Sequence, residues 1–413
     1  MEKTCVYKNN QCIYKLSDTC ENEELIKNIQ KMIGEADLEF LTCDDNYILV
    51  LLDKLGEGGF NKAYRVIEST SGREYVLRLT IEESYDKDVD QMEKLGLYLQ
   101  AYFSKTKSEG GLHCPYIAKV YSFGEYEKRN NNFINQLISN SKKKRVFGLI
   151  EYVKGGELLD RIDHKFKTGT KFTEKDISKL MFRLLTSLNC IHSHNFVHLD
   201  LKPSNILMVS NDNDYDIKLI DFGFVKYIEN IRDGINPIEF GRGGTPGYKA
   251  PEVNVGKTCG TKADIWGVGI ILINMLLLET DFRDVSKFPG DFYETLIPNI
   301  FFKVYKKQLL QEYSKECIDF LTKILKLEPA ERMSTVECLN HRWIKKYNKS
   351  YYITKNTNKK TKMTKKQTKK NKDILNKTNL RKMKKNELIE ILVKQGKETD
   401  GIKEILINRI LND

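Results

Sequence analysis

The apolar pattern of this chain changes period once, and that change limits the possible folds more than any other feature. From Tyr47 onward, "YILVLLDKL", "KAYRVIES" and "REYVLRLT" read as three short strands, with "STSGRE" supplying the turn between the second and third. After about residue 85 the spacing becomes helical, as in "DVDQMEKLGLYLQAYF", and from residue 157 helices dominate. Strands first and helices afterwards describe an α+β chain, a small sheet-bearing lobe followed by a larger helical one. With 413 residues and 40% apolar content the chain can bury a substantial core.

Its longest apolar run, "GVGIILINMLLL" from Gly267, has the length of a buried core helix and falls short of the ~18 residues of a membrane span. No membrane association is expected. The N-terminus lacks the apolar run of a signal peptide, and the nine cysteines are scattered and odd in number. They read as reduced thiols in an intracellular protein, cytoplasmic or nuclear, with no disulfides. Cys5, Cys12, Cys20 and Cys43 lack the paired C-x-x-C spacing of a zinc site, so ordinary thiols are the plainer reading.

Charge divides the chain sharply. The net charge is +11, yet residues 345–385 hold sixteen lysines and Arg381 against Asp373 alone, which leaves −5 for everything else. A mildly acidic body therefore carries a basic arm suited to a polyanion. Within the arm, "NTNKKTKMTKKQTKKNK" is too polar to bury a core and reads as a disordered linker. Four regions result: an extension over 1–46, a two-lobed domain over 47–345 (47–153 and 154–345), a Lys-rich linker over 346–378, and a small helical unit over 379–413.

Four motifs carry the chemistry. "LGEGGFNKAYRV", "HLDLKPSN", "DFG" and "GTPGYKAPE" occur in that order, and together they resemble the protein kinase family across about residues 47 to 345. The resemblance implies a bilobal kinase fold and a serine/threonine kinase that uses ATP and Mg²⁺ to phosphorylate hydroxyls of protein substrates. By that resemblance Asp200 takes the proton of the acceptor hydroxyl, Lys202 neutralises the γ-phosphate, and Asn205 and Asp221 hold the metal. Leu55, Gly56, Glu57, Gly58, Gly59, Phe60 and Asn61 form the loop over the phosphates. Ala63 and Val76 flank the adenine, with the backbone of Glu151 and Val153 against it, Ile150 behind it and Glu157 near the ribose. Thr245 binds Asp200 and Lys202, and the "DLKPSN" and "GTPGYKAPE" sequences favour Ser/Thr over Tyr as acceptor. Glu252 is expected to pair with Arg332, and Asp264 to anchor the catalytic loop.

Several positions depart from the family pattern. The strand lysine that contacts the α- and β-phosphates is Arg78 here, with Glu93 its expected helix partner fifteen residues on. Arginine is longer, planar and forked, so the exchange is not conservative. Val76 stands where the family has alanine, and Asn61 where it has the third glycine. Lys62 is a poor stand-in for the lost lysine, since alternation turns it away from the cleft. Leu199 occupies the position of the arginine that receives an activating phosphate, and no Ser or Thr lies between Phe224 and Gly244. A loop ordered without phosphorylation is the expectation, and Arg78 leaves open a catalytically impaired scaffold, a pseudokinase.

The last segment resembles the SAP module, a short helical DNA-binding unit, over residues 379–411. That implies phosphate contacts from Arg381, Lys382, Lys384, Lys385, Lys403 and Arg409, with nucleic acid as partner of residues 346–413. A plain amphipathic hairpin docking on the lobe or on another protein accounts for the same pattern.

Overall fold

A computed structural model describes residues 5–8, 11–15, 40–43, 47–57, 61–68, 72–80, 87–129, 132–134, 145–228, 244–254, 260–278 and 307–352. The Lys-rich linker beyond residue 352 and the whole SAP-like unit lie outside the described residues, as do Gly58, Gly59 and Phe60 of the glycine-rich turn. The chain divides into two compact units, Met1–Tyr347 and Asn348–Asp413.

Strands β1 (Cys5–Lys8) and β2 (Gln11–Lys15) form a hairpin of their own. The small lobe is a barrel of seven strands: β3 (Phe40–Cys43), β4 (Tyr47–Glu57), β5 (Asn61–Glu68), β6 (Glu74–Thr80), β7 (Val120–Arg129), β8 (Asn132–Ile134) and β9 (Arg145–Glu151). They pair in the order β3-β4-β5-β6-β9-β7-β8, and β3 closes the ring by running parallel to β8. The barrel therefore begins before Tyr47, the boundary expected from sequence. Residues 40–43 pair antiparallel with Tyr47–Val50, so part of the N-terminal extension belongs to the sheet.

Alternation along β6 fixes what faces the cleft. Tyr75, Leu77 and Leu79 are buried in one core cluster with Leu49, Val66, Phe147 and Leu149, which leaves Val76 and Arg78 on the opposite face. Helix α1 (Lys87–Ser104) packs across that face through Leu97 and Ala101, against Val120, Val146 and Ile150. It comes so close that a Cβ on Gly148 of β9 would lie 2.5 Å from Leu97.

The large lobe is built on α2 (Leu158–Thr168) and α3 (Glu174–His192), the latter capped by the Thr173 hydroxyl. Short strands β10 (Phe196–Val197), β11 (Ile206–Met208), β12 (Ile217–Leu219) and β13 (Lys226–Tyr227) carry the loops of the cleft. Among the described residues the lobe also holds helices α4 (Pro251–Asn254), α5 (Thr261–Leu277), α6 (Lys315–Ile324), α7 (Thr335–Asn340) and α8 (Arg342–Tyr347). Lys346 and Tyr347, expected to open the linker, close α8 instead. α5 contains the "GVGIILINMLL" run and is buried along nearly its whole length, and no described helix is long and apolar enough to cross a membrane.

The expectation of reduced thiols throughout is corrected at one pair. Cys114, after α1, and Cys190, near the end of α3, form a disulfide although 76 residues separate them. Folding brings their Cα atoms to 5.8 Å, within the span such a bond bridges, and scattered spacing in the sequence carries no sign of that approach. Cys317 and Cys338 are free and buried.

Candidate active site

Asp264 builds the catalytic loop. Its Oδ2 accepts from the backbone N–H of His198 and its Oδ1 from that of Leu199, both at 2.8 Å. His192 Nε2 lies 2.8 Å from the same carboxylate, which is 1% exposed. These bonds hold Leu199 at φ 67°, a left-handed conformation that costs a branched side chain about 1–3 kcal/mol and persists only when its surroundings impose it. The next residue, Asp200, is thereby turned into the cleft.

Asp200 is 2% exposed, and three side chains fix it. Thr245 Oγ1 donates to Oδ1 at 2.7 Å, and Asn205 Nδ2 donates to Oδ2 at 3.0 Å and to the Asp200 carbonyl at 2.7 Å. Lys202 Nζ lies 3.1 Å from Oδ2 and donates to Thr245 Oγ1 at 2.9 Å. A one-turn 3-10 helix, Pro203–Asn205, returns Asn205 onto Asp200, and the Ile220 N–H donates to the Asn205 carbonyl at 3.0 Å, tying the loop to the end of β12.

Asp221 follows with φ 62°. The Gly223 N–H and both terminal nitrogens of Arg78 converge on its Oδ1, each at 3.3 Å. Burial opposes ionisation of this carboxyl, but the Arg78 guanidinium and the Gly223 N–H outweigh it and hold the group below its usual range. Arg78 also grips α1: its Nε lies 2.7 Å from Glu93 Oε1 and its Nη2 donates to Oε2 at 3.1 Å. Burial raises the Glu93 carboxyl, with Arg78 pulling against that rise.

Aromatic rings brace the same elements. His198 meets Phe222 edge-on at 5.1 Å, Phe222 lies 5.9 Å from Phe103 of α1, and Phe103 lies 5.4 Å from Phe196. α1 also touches the "DFG" turn directly, since a Cβ on Gly96 would come within 2.9 Å of Gly223 Cα. Nothing in the sequence marked Gly96 or Phe103, because an approach between residues more than a hundred positions apart leaves no local pattern.

The remaining candidates are distributed along the cleft. Ala63 pairs with Arg78, and Val76 pairs with Ile150, which is 7% exposed. The Glu151 N–H donates to the Lys119 carbonyl, and its side chain accepts from Lys218, while Val153 is buried beside it. Glu157 stands at the N-cap position of α2 without a side-chain capping bond, and burial raises its carboxyl, with the Asp160 charge adding to the rise and Lys202 opposing it. Leu55, Gly56 and Glu57 are exposed at the end of β4. Among the described residues a Cβ on Gly56 would meet no atom within 4 Å, so their packing does not demand a glycine there. Lys62 points to Glu57 at 3.5 Å, away from Arg78. Deeper in the large lobe Arg332, 1% exposed, forks onto Glu252 at 2.6 and 2.7 Å. The basic residues 381–409 lie outside the described residues.

The donor set suits a hard divalent cation. Asn205 spends its amide nitrogen on Asp200, which leaves its oxygen as a neutral ligand, and the three bonds to Asp221 all fall on Oδ1, so Oδ2 carries none of them.

Comparison with known proteins agrees with this geometry. The model of the protein kinase domain matches residues 49–344. Calcium/calmodulin-dependent protein kinase cmkA of Emericella nidulans is 33% identical over 53% of this chain and 50% of its own length. Serine/threonine-protein kinase 17A of Oryctolagus cuniculus is 33% identical over 48% of this chain and 47% of its own. A calcium/calmodulin-dependent protein kinase type 1 of Caenorhabditis elegans is 30% identical over 64% and 75%, respectively. The chain thus spans about half the length of the first two of these relatives. With a barrel lobe, a helical lobe and the protein kinase domain model matching residues 49–344, the chain belongs to the protein kinase family.

Proposed function

We propose that the chain is a serine/threonine protein kinase, transferring the γ-phosphoryl group of Mg-ATP to hydroxyls of protein substrates. The observation that carries this reading is the cluster around Asp200, in which Lys202, Asn205 and Thr245 all bond one buried carboxylate, with Asp221 at the neighbouring turn. Phosphoryl transfer asks for aligned groups and neutralised charge more than for covalent help. Asp200 orients the acceptor hydroxyl and takes its proton, while Lys202, held between Asp200 and Thr245, neutralises the γ-phosphate. Asn205 and Asp221 would hold Mg²⁺, which when bound would supply charge neutralisation for the phosphates. Arg78, fixed to Glu93, supplies the cation that lysine supplies in most of the family.

Mg-ATP-dependent labelling of a generic Ser/Thr-rich protein tests the reading directly. The full chain should transfer phosphate, and Asp200→Asn should lower kcat by about 10²–10⁴-fold. Absence of transfer from the wild-type chain, with transfer gained in Arg78→Lys, favours instead a pseudokinase in which the Arg78–Asp221 contact occupies a metal ligand. The basic arm tethers the kinase to nucleic acid, with proteins bound there as its substrates; the sixteen lysines of residues 345–385 support this part of the reading.

A further inference from the structure

Asn61 opens β5 on the far side of the glycine-rich turn, and its side chain reaches across to α1. Nδ2 donates to Glu93 Oε2 at 3.1 Å, the oxygen that also accepts from Arg78 Nη2 at 3.1 Å. The direction of the amide is settled by chemistry, since the reverse orientation would set a carbonyl oxygen against a carboxylate. Asn61 Oδ1 is buried and has no hydrogen-bond partner among the described residues. The bond to Glu93 therefore stands out as what this side chain does, and it is made at a position where a glycine could make none.

Arg78 shows what the bond is for. Two carboxylates compete for its guanidinium, Glu93 at 2.7 Å and Asp221 at 3.3 Å. A compact ammonium paired to Glu93 has little freedom to stray, but a longer forked group can swing about its own stem. Movement toward Asp221 would spend the cation on a metal ligand; movement the other way would withdraw it from the phosphates. Glu93 decides the balance, and its buried carboxylate takes its orientation from the groups that bond it. Asn61 supplies the second hold.

We propose that Asn61 is a positioning residue: by clamping Glu93 it keeps the Arg78 guanidinium at the phosphate end of the cleft and so adapts the site to an arginine in place of lysine. The proposal rests on the reading of the cleft as a nucleotide site, and it assigns a role to the departure from the third glycine. Asn61 acts through Glu93 and Arg78 and need not touch the nucleotide.

A double-mutant cycle on the full chain, read by equilibrium binding of Mg-ADP, tests it. Asn61→Ala should weaken binding about fivefold when Arg78 is present and less than about twofold in an Arg78→Ala background, since coupled residues are non-additive. Asn61→Asp, nearly isosteric, should weaken binding at least as much by setting a second carboxylate against Glu93. Equal losses in both backgrounds would mean that Asn61 acts on the turn in general, and wild-type binding by both Asn61 variants would mean that it positions nothing; either overturns the proposal. Failure of the wild-type chain to bind Mg-ADP overturns it together with the nucleotide site. Binding with the expected non-additivity but without phosphate transfer upholds the clamp and removes only the kinase reading.

Discussion

His198 is fully buried beside three carboxylates, yet its imidazole is held below the ordinary value of 6.5, because burial outweighs the charges of Asp264, Asp200 and Asp221. In the folded chain it stays neutral where the unfolded chain takes up a proton. Stability therefore falls as pH drops through 6.5, by at most about 1.4 kcal/mol per pH unit from this one group. Urea unfolding between pH 7 and pH 5 should show that decline, and His198→Leu should flatten it. His341, also held low mainly by burial, accounts for part of what remains. The sequence identified this histidine only as the first residue of a motif. Its neutrality comes from burial against Phe222, in spite of the nearby Asp264 charge, and no local pattern records that depth.

Among the elements, the strands were legible and the contacts between them were not. Alternation in "REYVLRLT" correctly placed Val76 and Arg78 on one face of β6, and helical spacing placed Glu93 on the helix that Arg78 reaches. The addition of β3 to the barrel was missed because a four-residue strand has too little pattern to distinguish it from a loop. Asn61 read as a lost glycine, since the partner that gives it a purpose lies on another element. Gly96 makes the same point in energetic terms. Alanine favours a helix over glycine by about 1 kcal/mol, but here its methyl would press on the backbone of Phe222 and Gly223 at 2.9 Å. Either α1 or the "DFG" turn must yield, and Asp221 moves with the turn. Gly96→Ala should therefore lower kcat/KM by about 10–100-fold, because a displacement near 1 Å is enough for that, with the melting temperature nearly unchanged. A steady-state assay beside a thermal melt separates the two effects.

At the scale of the molecule, charge was read directly from composition: a body near −5 and an arm of +16. Attraction of that kind depends on releasing counterions, so the full chain should bind duplex DNA with an affinity that falls steeply between about 50 and 200 mM salt. A chain ending at residue 352 should lose the binding and keep phosphate transfer; a salt-independent affinity would point to contacts other than phosphate.

The disulfide has a mechanical meaning at this scale. Cys114 belongs to the small lobe and Cys190 to the large one, and on the same side the Ser187 hydroxyl donates to the Pro115 carbonyl at 2.9 Å. Two bodies joined by a covalent pin at one edge cannot slide or part there. Those two points travel together whatever the cleft does, and the same edge is stitched again where the Ala118 N–H donates to the Leu219 carbonyl and the Leu219 N–H to the Tyr116 carbonyl.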